Sequence, residues 1–153
     1  MSQPELQYFV PSEFRQWYDN MSPRLLVMMD ILRHTLGSRI YISKNEDSLG
    51  RELGYQDESQ HNIDRWAEVR AGDFFVEHVY FKTQVSSVVE EMKRIGFTGI
   101  GVYPGTQNNS GKMQPMFHGD VRTNKAMGSP STWGRVNGEY VSIDVALNKI
   151  PLK

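Results

Sequence analysis

The chain contains no cysteine. Disulfides are excluded, and so is any metal site built on thiolates. Histidine, aspartate and glutamate remain as the side chains able to hold a metal. No apolar run is long enough to span a bilayer. The start, "MSQPELQYF", lacks the charged segment and apolar core of a secretory signal. There is no internal repeat and no low-complexity segment. Net charge is −1, so no basic balance advertises nucleic-acid binding. These absences set an expectation: a chain made in the cytoplasm without a signal peptide, with neither membrane nor nucleic acid as partner.

What is present fits an ordinary globular protein. The 153 residues are 39% hydrophobic and 23% charged, which suits one domain with a real core over the whole of residues 1–153. "SEFRQWYDNM" reads as a short helix capped by Ser12. "MSPRLLVMMDILRHTLG" is the clearest helix: Ser22 caps it, Pro23 takes the first turn and Gly37 ends it. Leu25, Met28, Met29, Leu32 and Leu36 share one face at helical spacing, and His34 sits near the end where the helix dipole favours it. A second helix, "TQVSSVVEEMKRIG", carries Val85, Val88, Val89, Met92 and Ile95 on its stripe and closes at Gly96.

Strands are expected in "SRIYISK", in "AGDFFVEHVYF" with a break near Glu77, in the glycine-containing "TGIGVYP" and in "PMFHGDVR". Asn137-Gly138 within "TWGRVNGEYVSI" is a strong hairpin signal. The polar stretch from Asn45 to Arg70 is long for a connection, and such loops are often functional. The order predicts an α+β fold: N-terminal helices followed by a small, mostly antiparallel sheet, with a C-terminal hairpin and tail from about Trp133.

The residues that carry chemistry stand out against this frame. In "PMFHGDVR", Phe117, Gly119 and Val121 alternate with His118, Asp120 and Arg122, the pattern of a strand with one wet face. His118 and Asp120 are two apart, so both reach the same side. His61 lies in the polar loop, in "SQHN". Asp73 opens an aromatic strand, an awkward place for an aspartate. It reads as a turn residue after Gly72 or as a metal ligand. Two imidazoles and one carboxylate are a normal catalytic zinc set.

The succession "SQHN…AGDFFV…GIGVYPG…MFHGDVR…TW" resembles the zinc D-Ala-D-Ala carboxypeptidase and L-alanyl-D-glutamate endopeptidase family, cell-wall peptidases of the hedgehog/DD-peptidase fold. The short forms encoded by bacteriophages look most similar. The matching positions are Ser59 and His61, Asp73, Gly99-Ile100-Gly101 with Tyr103, His118-Asp120-Arg122, and Trp133. With the first helices and "IYIS", they span most of the chain.

The resemblance implies a Zn2+ ion held by His61, Asp73 and His118. Ser59 would help position substrate. Arg51 would stabilise an oxyanion, or is simply a solvated loop arginine. Asp120 would orient a histidine or handle protons, or only pair with Arg122. Two departures stand out. "NIDRWAEVRAG" makes the interval between His61 and Asp73 long, and Pro115 occupies the place where many members carry glutamate. The base is thus unassigned, with Asp120 the nearest candidate and Glu68, Glu77 and His78 behind it. The implied function is a peptidoglycan peptidase, an endopeptidase or carboxypeptidase. It would act in lysis or on the virion, with wall peptides and other virion proteins as partners. The alternative is a tail or head protein that keeps the fold with weakened activity, using "GRVNGEYVSIDVALNKIPLK" to dock.

Overall fold

Helix α1, Pro23–Leu36, begins where Ser22 Oγ accepts the Leu25 N–H (3.3 Å) and ends at Gly37, whose φ of 62° lets its N–H return to the Arg33 and His34 carbonyls. In the computed structural model, which describes residues 2–153, its buried residues are Leu25, Leu26, Met28, Met29 and Leu32. Leu36, expected on that stripe, lies in the last turn and is only partly buried. Helix α3, Lys82–Ile95, buries Val85, Val88, Val89 and Met92 and closes at Gly96. The two helices pack against one another.

The segment Pro11–Asn20 departs from the predicted helix. It forms 3-10 turns entered at Val10, whose N–H is accepted by Glu13 Oε2 (2.8 Å), not at Ser12. The turns break at Arg15, which sits at φ 58° and ψ −146°. A non-glycine residue there costs on the order of 1–3 kcal/mol. The contacts it makes explain the break. Arg15 donates to the Ser43 (2.5 Å) and Asn45 (3.1 Å) carbonyls, while Phe14 packs on Phe9 in the core.

The remaining elements are β1 (Ile40–Ile42), α2 (Ile63–Trp66), β2 (Ala71–Val76), β3 (Gly99–Tyr103), β4 (Met116–Asp120), β5 (Ser131–Val136), β6 (Glu139–Val141) and α4 (Ile143–Leu147). The strands form one mixed sheet in the order β1-β2-β4-β3-β5-β6. Every pairing is antiparallel except β3 with β5. The hairpin β5–β6 turns at Asn137 and Gly138, both at positive φ (52° and 80°), as a tight hairpin turn requires. The chain breaks from β2 at the Glu77-His78 turn, as expected. Short helix α4 was not foreseen in the expected C-terminal tail. Ser142 caps it, and it packs on β5, where Gly134 leaves room for Ala146.

The pairing register sorts the side chains onto two faces. Ile40, Phe74, Val76, Ile100, Val102 and Phe117 belong to the core that also holds residues of α1 and α3. The opposite face carries Asp73, His118, Asp120, Tyr103 and Trp133. Here β4 corrects the expectation of a half-wet strand: Met116–Asp120 is buried throughout. The polar alternation in its sequence marks a polar buried face rather than a solvated one. Among the described residues no helix is long and apolar enough to cross a membrane.

The contact between Gly134 and Ala146 is a direct test of this packing. A Cβ at position 134 would overlap the Ala146 methyl. Gly134→Ala is expected to cost about 1–3 kcal/mol, read as a lower midpoint in urea unfolding.

Candidate metal centre

One row of the sheet holds the centre. Asp73 on β2 lies opposite His118 on β4, His118 opposite Gly101 on β3, and Gly101 beside Trp133 on β5. All four residues are on one face at one level. Gly101 is the gap in that row. A Cβ there would stand 2.8 Å from Trp133 Nε1 and 3.2 Å from His118 Cβ. Its absence lets the indole lean onto the imidazole, with ring centroids 4.9 Å apart. Gly99, opposite Asp120, leaves space in the same way for the Asp120 carboxylate. The alternating glycines of "GIG" thus have a physical reason: both face the site.

His61 arrives from the long loop. Asp73 anchors that loop at both backbone atoms, taking the Ser43 N–H on its carbonyl and donating its own N–H to Ser48 (both 2.9 Å). Arg15 holds the carbonyls of Ser43 and Asn45, and the Trp17 ring covers Gly50. The interior of the loop is organised by Asn62. Its amide donates to the Gly54 (2.7 Å) and Asp57 (2.8 Å) carbonyls, and its Oδ1 accepts from Leu53 (3.0 Å) and Asp64 (3.2 Å). Asn62 also caps α2. Its importance was missed from sequence. The available signal was an asparagine directly before "IDRW", a helix start.

The centre is built from His61, Asp73 and His118, all buried, whose ligand atoms lie within 4.8 Å of one another. It is the group of that kind found among the described residues. His61 Nδ1 sits 2.6 Å from the Leu49 carbonyl. A carbonyl only accepts, so Nδ1 carries hydrogen; Nε2, 3.4 Å from Asp73 Oδ1, donates to it when the ring is charged and offers a lone pair when the ring is neutral. His118 lies between two carboxylates: Nδ1 is 3.0 Å from Asp73 Oδ1 and Nε2 is 2.7 Å from Asp120 Oδ2. With both rings neutral at those nitrogens, acceptors would converge on Asp73 Oδ1 from two sides. Such an arrangement asks for positive charge, either as protons or as a metal ion.

The electrostatics follow. Burial pushes the Asp73 carboxyl up, but the charge of His61 and the hydrogen bonds of His118 and His61 outweigh it and hold it well below the usual carboxylate range. Burial favours neutral His118, yet its hydrogen bonds to Asp120 and Asp73 prevail and raise it to about 9. Asp120 is fully buried, which opposes its charge. Arg122 and then His118 reverse that and keep it below the usual range. Arg122 binds Asp120 through Nε (2.9 Å), Nη2 (2.6 Å) and its backbone N–H (3.1 Å). Asp120 therefore stands behind His118 with both oxygens engaged.

Arg51 places Nη2 3.6 Å from Asp73 Oδ2 and donates Nε–H to the Asp47 carbonyl (2.7 Å). Ser59 Oγ accepts the His61 N–H (3.3 Å). Both line the open cleft of about 620 Å³ above the centre, whose far wall is the β5–β6 hairpin with Arg135, Asn137 and Tyr140. The structure does not bring the remaining base candidates there. Glu68 pairs with Arg70 (3.0 Å), and Glu77 with His78 (2.9 Å) beyond the end of β2, where both line a different groove.

Comparison with protein families, curated proteins and solved structures finds no match. The chemistry of the site rests on its own geometry.

Gly99 offers a test of that geometry. Gly99→Ala places a methyl where the Asp120 carboxylate lies, so His118 loses its anchor. Loss of such a supporting partner is expected to weaken metal binding about 10–100-fold, measured by competition with a chromophoric chelator.

Proposed function

We propose that the chain is a zinc-dependent peptidase acting on the peptides of bacterial peptidoglycan, of bacteriophage type and of the D-Ala-D-Ala carboxypeptidase and L-alanyl-D-glutamate endopeptidase family. The observation that carries the reading is the convergence of His61 Nε2 and His118 Nδ1 on Asp73 Oδ1 at the floor of an open cleft. Two nitrogens and one carboxylate oxygen suit zinc with a position left open. Tetrahedral ligands at about 2.0–2.2 Å from a metal stand roughly 3.3–3.6 Å apart, and His61 Nε2 is already 3.4 Å from Asp73 Oδ1. The order of the residues that resemble the family supports the choice of substrate class.

His61, Asp73 and His118 would hold the ion, which would polarise the scissile carbonyl and activate water when bound. Asp120 fixes His118 by accepting at Nε2, which leaves Nδ1 for the metal side. Arg51 adds positive charge beside Asp73 and the cleft, suited to an oxyanion. Ser59 lies at the cleft wall next to His61, where it can meet substrate. In this reading the protein acts on the wall as a lysis enzyme or as part of a virion.

A second reading has one specific observation in its favour. Pro115 stands three residues before His118, and Asp120 has no free oxygen, so the water-activating carboxylate of many relatives has no counterpart on β4. On that reading the chain is a virion component that keeps the fold and has lost turnover. Release of new amino groups from purified peptidoglycan, abolished by chelator and absent in His61→Ala and His118→Ala, is the expected result. A zinc-loaded protein that releases none would leave the second reading standing.

Stability against pH tests the ligand set separately. The folded-state value of His118 is raised, so in metal-free protein its contribution is full below 6.5 and is lost as pH rises through about 9. Asp73 and Asp120 are lowered, so theirs is present above 3.8 and is lost as pH falls. Metal-free protein is therefore expected to be most stable between those two values, 3.8 and 6.5. Zinc requires His118 without its Nδ1 proton. The rise in Tm on adding zinc should thus grow from about pH 5.5 to about pH 8.5. A pH-independent or absent shift would count against these ligands.

A further inference from the structure

We propose that Tyr103 is a further catalytic residue of this cleft, its hydroxyl donating a hydrogen bond to the oxyanion that forms on the substrate carbonyl. The inference rests on the peptidase reading above. Tyr103 ends β3 on the site face, two residues beyond Gly101 and diagonal to His118. It is half-buried and lines the cleft. Trp133 Nε1 lies 3.3 Å from its oxygen. Indole N–H only donates, so the tyrosine oxygen is the acceptor there and its own proton is free to turn into the cleft. Burial, followed by the negative charge of Asp73, pushes the hydroxyl up to about 12, so it keeps that proton at neutral pH.

The two arginines beside Asp73 and Asp120 are committed elsewhere. Arg122 holds Asp120 through Nε and Nη2, and Arg51 faces the Asp73 carboxylate with its Nε on the Asp47 carbonyl. Arg51 supplies charge, whereas Tyr103, which also lines the cleft, supplies a directed donor. In the step itself, water oxygen adds to the carbonyl carbon and the C=O π pair moves onto oxygen. The Tyr103 O–H donates to that oxygen without giving up its proton. When the C–N bond breaks, the pair returns to C=O and the amine leaves with the proton that water lost.

The test uses the full chain loaded with cobalt, with methylphosphonate as a tetrahedral oxyanion. Tyr103→Phe should leave the cobalt spectrum unchanged, since no ligand is touched, and weaken methylphosphonate binding about tenfold. On peptidoglycan peptides it should lower kcat about 100-fold with KM nearly unchanged. Trp133→Phe, which releases the tyrosine oxygen, should give a smaller loss in the same direction. Equal methylphosphonate affinity and equal kcat in wild type and Tyr103→Phe would overturn the role of Tyr103 and leave the peptidase reading intact. A difference in methylphosphonate affinity without amino-group release from peptidoglycan by the wild type would overturn both the peptidase reading and the catalytic role. Failure to bind cobalt would overturn the metal centre and this inference together.

Discussion

Buried His118 is clamped by two carboxylates, Asp73 at 3.0 Å and Asp120 at 2.7 Å, and much of the sheet is arranged to permit that clamp. Two acidic groups in a nearly dry place are costly unless positive charge sits between them. His118 supplies it on one side and Arg122 on the other. Strand β4 must therefore run in the middle of the sheet, with Asp73 on one neighbour and glycines on the other. A side chain at Gly99 would collide with Asp120, and one at Gly101 would crowd both His118 and Trp133.

The same sheet solves two opposing problems on its two faces. Phe74, Phe117, Ile100 and Val102 are fully buried on the helix side. That apolar burial is the dominant favourable contribution to folding. The other face spends its positions on charge and hydrogen bonding. Against that face lies the long loop, pinned to the backbone of Asp73 and to Arg15 and held together internally by Asn62. The loop is thus both a wall of the cleft and the carrier of His61, and its anchors explain how so long a polar segment comes to be ordered.

Much of the fold could be read from local pattern. Helices α1 and α3 follow from their caps and apolar stripes, and the β5–β6 hairpin from Asn137-Gly138. Pairing between distant segments was not readable in that way. Nothing in "GIGVY" or "STWGRV" says that β3 and β5 run parallel, or that β4 lies between β2 and β3. Strand β4 misled for a definite reason: alternation reports two chemically different faces, and burial of the polar one depends on what covers it. Arg15 misled because tertiary hydrogen bonds to the loop override helix periodicity. At the centre, His61, Asp73 and His118 were nominated by a resemblance in residue order. Their proximity comes from the β2–β4 register and the loop anchors, and local sequence contains neither.

The order of charges behind the centre has a consequence for what it binds. Arg122 keeps Asp120 ionised, and ionised Asp120 draws a hydrogen to His118 Nε2. A neutral imidazole has only one such hydrogen. Once Nε2 holds it, Nδ1 must present a lone pair toward Asp73. In its neutral form His61 reaches the same condition by another route, since the Leu49 carbonyl holds its hydrogen at Nδ1 and leaves the lone pair to Nε2. Two lone pairs and a carboxylate oxygen then face one point. A proton on His118 Nδ1 satisfies part of that demand, which is why His118 is raised to about 9. A divalent ion satisfies all of it at once, because it engages both nitrogens and the oxygen together. Proton and metal would thus compete for a single place, and Arg122 and the Leu49 carbonyl, neither of them among the candidate ligands, would set the terms of that competition.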